Sequence, residues 1–174
     1  MQNEYHQRRQ AVAEAIGQGT AIFCSAPTAV MHNDVDYLFR QDSDFFYLTG
    51  FNEPDAVAVL APSHEEHKFI LFVRPKDKEA ETWSGYRTGV ELAKEKYGAD
   101  AAYSIAELDT KLIEYVQSAP QLYYHFGNDQ AFNNRIISLW QLLLRKMVKK
   151  GKGPAAIADS KLLMQQFRRV KTPA

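Results

Sequence analysis

A single cysteine, Cys24, excludes an internal disulfide. Set between Phe23 and Ser25 in an apolar run, that thiol fits a reducing compartment and a buried rather than a catalytic role. A surplus of either charge is also lacking. Lys plus Arg and Asp plus Glu balance at 21 each, so no field of one sign gathers phosphate backbones or anionic lipid, and nucleic acid and membrane are set aside as partners. No apolar run approaches the roughly 20 residues of a spanning helix, and the polar start "MQNEYHQRRQAV" is not that of a signal peptide. Together these absences point to the cytoplasm. Nucleotide and nucleophile motifs are missing too. There is no Gly-x-Gly-x-x-Gly and no Gly-x-Ser-x-Gly elbow, and "GKGP" at residues 151–154 lacks the preceding strand and the Ser or Thr of a phosphate loop.

What is present is a core. An apolar fraction of 45% and an aromatic fraction of 12% over 174 residues suffice for one well-packed domain, residues 1–174, and not for two. "NEYHQRRQAVAEAIGQG" places Tyr5, Val12 and Ile16 on one helical face and closes on Gly17 and Gly19. Strand character follows in "TAIFCSA", "DFFYLTG", "DAVAVLA" and "HKFILFV", with Asn52, Glu53, Pro54 and Asp55 supplying a hairpin-like turn between the second and third. "TGVELAKEKYG" reads as a helix, and "SIAELDTKLIEYVQSAP" opens on a Ser104–Glu107 capping box with Ile105, Leu108, Leu112 and Val116 as its apolar stripe. "QLYYHFG" is a fifth strand. A long helix starts at Asn128 and is faced by Phe132, Ile136, Leu139, Leu143 and Met147. Strands separated by helices predict an α/β domain, a mixed sheet of about five to six strands with helices packed on its faces. Residues 151–174 read as a linker, "KKGKGPAAIAD", and a further helical segment, "SKLLMQQFRRVKTPA".

Few residues offer chemistry. His64 and His67 stand three apart in a polar turn, whereas a zincin helix spaces its histidines four apart around a Glu. Asp34 with Asp36 and Asp42 with Asp44 could hold a divalent cation through oxygen, but alternating loop carboxylates without an EF-hand pattern are expected to cap or to be hydrated. The cluster of Arg145, Lys146, Lys149, Lys150 and Lys152 complements a helix C-terminus. "EAETWSGYRTG" gathers Trp83, Tyr86 and Arg87 in a predicted loop, and aromatics with Arg carry binding hot spots. No complete catalytic constellation emerges, and these features alone describe a binding or interaction module.

Longer motifs add to that reading. "RQDSDFFYLTGFNEPDAVAVL", preceded by "HNDVDYLF" and followed by "ETWSGYRTG" and the terminal "FRRVKTPA", resembles the N-terminal domain of aminopeptidase P, in the creatinase and prolidase superfamily. The resemblance implies a creatinase N-terminal domain-like fold within a metal-dependent Xaa-Pro aminopeptidase, a hydrolase that removes the residue before proline. It implies a C-terminal catalytic domain beyond Ala174 holding two divalent metals, typically manganese, toward which residues 151–174 lead. No catalytic residue and no metal ligand is expected in this chain, which alone is expected to be inactive. Its expected work is to shape access to the cleft and to support a homo-oligomer. Its expected partners are its own catalytic domain and a peptide with proline in second position. Trp83 and Arg87 fall on the family's W-x-G-x-R loop as substrate-facing or subunit-interface residues, while Tyr86 stands where an arginine is frequent. A free-standing peptide- or protein-binding module of the same fold is the alternative.

Overall fold

The computed structural model describes residues 2–32, 35–127, 129–150 and 153–169. Asp34 and Asn128 of the readings above, and the terminal "VKTPA", lie outside these. The first helix, α1 (Gln2–Ile16), turns Val12 and Ile16 inward and ends where Gly17 takes a left-handed backbone (φ 57°). It also buries Arg9, whose Nη1 donates to the Leu48 carbonyl (2.9 Å) and whose guanidinium lies 4.0 Å from the Phe69 ring centroid. Burial lowers the pKa of Arg9 to about 10, opposed by Asp100.

Six strands form one sheet. β1 (Thr20–Cys24), β4 (Val57–Leu60), β5 (Phe69–Val73), β6 (Ala101–Ser104), β7 (Gln121–Tyr123) and β8 (Ala156–Ala158) lie in the order β6-β5-β4-β1-β7-β8. Within it β4 runs antiparallel to both neighbours and the remaining pairs are parallel, so the sheet is mixed as expected. A separate ribbon pairs β2 (Val30–His32) with β3 (Val35–Asp36).

Strand alternation divides the core between the two faces. Ile22, Val57, Val59, Ile70 and Phe72 pack with Leu108, Leu112 and Val116 of α5 (Leu108–Val116) and with Ile136, Leu139 and Leu143 of α6 (Gln130–Lys150). Ala21, Phe23, Ala58, Leu60, Leu71 and Val73 pack on the other face with α1, α2 (Ser43–Thr49), α4 (Val90–Tyr97) and Met164 of α7 (Ser160–Arg168). Strand β5 is buried along its whole length, as its unbroken apolar run predicts. Fully burying each large apolar side chain contributes about 1.5–3 kcal/mol, so the sheet and its two layers supply most of the stability. The Ser104–Glu107 capping box forms, on a single 3-10 turn leading into α5. At the start of α6 it is Asp129 that accepts from the Phe132 amide (2.9 Å).

The structure corrects the reading of "DFFYLTG". That segment is the helix α2, because Asp42 accepts from the Asp44 and Phe45 amides (both 2.9 Å) and Gly50 closes the helix in a left-handed conformation (φ 67°). The following Phe51 to Ala56 stretch is therefore a helix-to-strand connection rather than a hairpin, with Asp55 itself at φ 53°. Besides the β2–β3 ribbon, two further elements were not foreseen. α3 (Lys78–Ser84) occupies the predicted Trp83 loop, and β8 lies inside the predicted linker.

Candidate functional site

The most exposed chemistry gathers where α3 meets residues 85–89. Helix α3 starts on Asp77, which accepts from the Glu79 and Ala80 amides (3.1 and 3.0 Å), and ends on Gly85 (φ 78°). None of its described side chains is buried. Trp83, near its last turn, is 92% exposed, and Tyr86 beyond it is 62% exposed. Arg87, the second residue singled out in the sequence, is half-buried on the same loop. The two are thus brought onto one short segment, with the indole outward and the arginine drawn back.

Polar contacts hold that segment. Glu81 accepts from the Arg87 amide (2.8 Å) and pairs with the Lys76 ammonium (2.8 Å). Lys76 also donates to the Arg87 carbonyl (2.8 Å) and lies 3.9 Å from the Tyr86 ring centroid. The hydrogen bond from Lys76, followed by that from the Arg87 amide, holds Glu81 below its ordinary carboxylate range. Lys76 is raised first by the same bond. From the inner side Glu53 reaches Thr88: one carboxylate oxygen accepts from the Thr88 amide (2.9 Å) and from its hydroxyl, while the other faces Arg74 Nη2 at 3.6 Å. Thr88 is buried, and the Glu53 side chain is only 14% exposed. Sequence reasoning missed Glu53, Lys76, Glu81 and Thr88. In the sequence Glu53 reads only as one of four turn residues, and its pairing with Thr88, thirty-five positions away, gives no local sequence signal.

The signature before α2 is likewise spent on backbone. Gln41 Oε1 accepts from the Ala26 and Asp42 amides (2.7 and 2.8 Å) and its Nε2 donates to the Phe51 and Glu53 carbonyls (3.2 and 2.9 Å). Asp42 caps α2. Asp44 is buried and receives Arg168 Nη1 at 2.8 Å; burial raises its pKa and the Arg168 bond opposes the rise. Both carboxylates are therefore engaged by protein groups. The side chains of Asp34 and Asp36 lie outside the description, as do those of Lys149, Lys150 and Lys152.

His64 and His67 form a packed turn rather than a solvated one. Their rings stack at 5.5 Å between centroids, and His67 Nδ1 lies 3.0 Å from the Tyr115 hydroxyl. His64 Nδ1 accepts from the Glu66 and His67 amides (3.3 and 3.1 Å), which places the proton of the neutral ring on Nε2 and leaves no lone pair for a cation. Among the described residues no group of three or more His, Cys, Asp or Glu side chains is placed to hold a metal. Burial pushes the half-buried Cys24 thiol up, which makes it a poor nucleophile. No described helix is long and apolar enough to cross a membrane.

Comparison with known proteins matches this geometry to one family. A model for the aminopeptidase P N-terminal domain covers residues 5–124. The Xaa-Pro aminopeptidase of Escherichia coli (strain K12) is 35% identical over 173 residues, covering 98% of this chain and 39% of that protein. Human Xaa-Pro aminopeptidase 3 is 33% identical over 169 residues, covering 92% of this chain and 32% of that protein. Among solved structures, E. coli aminopeptidase P with the inhibitor Pro-Leu superposes with a TM-score of 0.88 at 34% identity, over 99% of this chain and 40% of that one. The Pseudomonas aeruginosa aminopeptidase gives 0.86 at 34% identity, over 94% of this chain and 37% of that one. The chain thus spans about two fifths of the length of the bacterial relatives it matches.

Proposed function

Since the chain belongs to the aminopeptidase P N-terminal domain family, we propose that it is the non-catalytic part of an Xaa-Pro aminopeptidase, a metalloenzyme that removes the residue preceding proline. The observation that carries the assignment of a role is the exposure of Trp83 on a helix that contributes no buried side chain. An exposed tryptophan beside a tyrosine and an arginine has the composition of a binding hot spot, which supports this reading. In this reading Trp83, with Arg87 behind it, lines the approach of a proline-containing peptide to the cleft of the catalytic domain, in the same subunit or in a neighbouring one of a homo-oligomer.

The metals, two divalent ions and by expectation manganese, are assigned to the catalytic domain. The donor sets described in this chain do not fit them: the carboxylates of Asp42 and Asp44 are engaged and His64 presents an N–H. No step of the hydrolysis is placed here. What this chain supplies is binding energy and geometry around a site built elsewhere, in a protein that works in the cytoplasm.

The test is Trp83→Ala in the protein extended by its catalytic domain, assayed on an Xaa-Pro peptide. Truncating a hot-spot aromatic costs more than about 1 kcal/mol, so KM should rise about fivefold or more while kcat stays within about twofold. Unchanged KM and kcat would remove Trp83 from the approach to the cleft.

A further inference from the structure

Helix α3 has an anomaly: it carries the most exposed tryptophan of the described chain yet buries none of its described side chains. A seven-residue helix is below the length that is stable alone, and packing of an apolar face usually makes up the difference. Here there is no such face. What fixes α3 is a chain of polar contacts running from the interior outward: Glu53 to Thr88, the Thr88 to Arg87 backbone, the Arg87 amide to Glu81, and Glu81 to Lys76. Only the Glu53–Thr88 link lies deep. Glu53 itself is immobilised from below, because Gln41 Nε2 donates to its carbonyl and Arg74 faces its second oxygen.

From this we propose that Glu53 is a positioning residue for Trp83, setting the direction in which the indole is presented from some thirty residues away in sequence. A charged acceptor serves this better than a neutral one, because a carboxylate accepting an amide and a hydroxyl at one oxygen gives shorter and stronger bonds. The loop geometry favours the arrangement too: Gly89 lies at φ 75°, a backbone conformation that strains any other residue, and a Cβ there would lie 3.1 Å from Lys76 Cβ, so Lys76 would have to give way to admit it. Signature turn and exposed aromatic are in this way one device. That Trp83 then meets a peptide rests on the function proposed above; that Glu53 directs it does not.

The experiment uses protein labelled with 5-fluorotryptophan. The two tryptophans give two fluorine resonances, assigned by Trp83→Phe. Glu53→Ala should move and narrow the Trp83 resonance, leave that of Trp140 in place, and speed hydrogen exchange at the Thr88 and Arg87 amides about tenfold or more, a protection loss of the size of one charged hydrogen bond. Glu53→Gln keeps an acceptor but loses the charge, so it should give a smaller displacement in the same direction and exchange about threefold faster than native, and it tests the proposal if the alanine variant does not fold. An unchanged Trp83 resonance and unchanged exchange in both variants would overturn the proposal. In the enzyme with its catalytic domain, Glu53→Ala should raise KM with little change in kcat, and adding Trp83→Ala should raise it no further. A fluorine response without a KM response would leave the positioning role standing and contradict the substrate-facing role of Trp83.

Discussion

Helices α2 and α3 are near twins in local chemistry and opposites in what holds them. Each has seven residues, each starts on an aspartate that accepts from two backbone amides, and each ends on a glycine with positive φ. Yet α2 buries Asp44, Phe45, Leu48 and Thr49, whereas α3 buries none of its described side chains. Caps define where a helix begins and ends, and burial decides whether its position belongs to the core. The first helix is consequently part of the scaffold, and the second is a mounted surface whose orientation can be altered without unfolding the domain.

The comparison breaks most readily at Phe45. Replacing this fully buried ring by alanine should cost about 3–5 kcal/mol in denaturant unfolding, for want of atoms to fill the space. Next comes the glycine pair. A Cβ at Gly50 would lie 2.6 Å from the Tyr5 ring, while one at Gly85 meets nothing within 4 Å. Gly50→Ala should therefore cost about 2 kcal/mol or more of global stability, and Gly85→Ala (φ 78°, ψ 177°) only the penalty of its backbone conformation, about 1–3 kcal/mol, seen in α3 alone. Removing the caps sharpens the contrast further. Asp42→Ala should lower global stability by about 1 kcal/mol, whereas Asp77→Ala should change hydrogen exchange within α3 and leave the thermal midpoint nearly unmoved.

The smallest effect is that of pH on α3. Glu81 has its pKa lowered, so its contribution is present above the ordinary value of 4.5 and is lost as pH falls through the lowered one. Lys76 has its pKa raised, so its contribution is present below the ordinary 10.5 and is lost as pH rises through the raised value. Between pH 5 and 9, on the order of the interval these two ordinary values bracket, the Trp83 fluorine shift should be flat; it should change as the pH falls below the carboxylate range and again as it rises above that of the Lys76 ammonium.

The same two helices mark the limits of legibility. The strands at Thr20–Cys24, Val57–Leu60 and Phe69–Val73 were readable because their apolar runs fill both sheet faces. The α2 segment was misread because "FFYL" has strand propensity, although the i, i+3, i+4 spacing of Phe45, Leu48 and Thr49 and the flanking Asp42 and Gly50 held the helical answer. Helix α3 offers no apolar period at all, so only its caps could have announced it. Strand β8 hid in an Ala- and Gly-rich stretch because pairing with β7, not its own composition, makes it a strand. Trp83 and Arg87 were singled out by the aromatic-and-arginine composition of their segment and by the family motif, and the structure places both on one short segment. Glu53 was not, since its partner Thr88 is reached only through the fold.

The most direct test is peptide hydrolysis by the purified 174-residue chain, with an Xaa-Pro peptide, added manganese and metal analysis of the same sample. A folded chain that binds no stoichiometric metal and gives no turnover is the predicted result, with catalysis belonging to the domain it accompanies. Turnover that follows the chain through purification would contradict that claim and place a catalytic site within these residues.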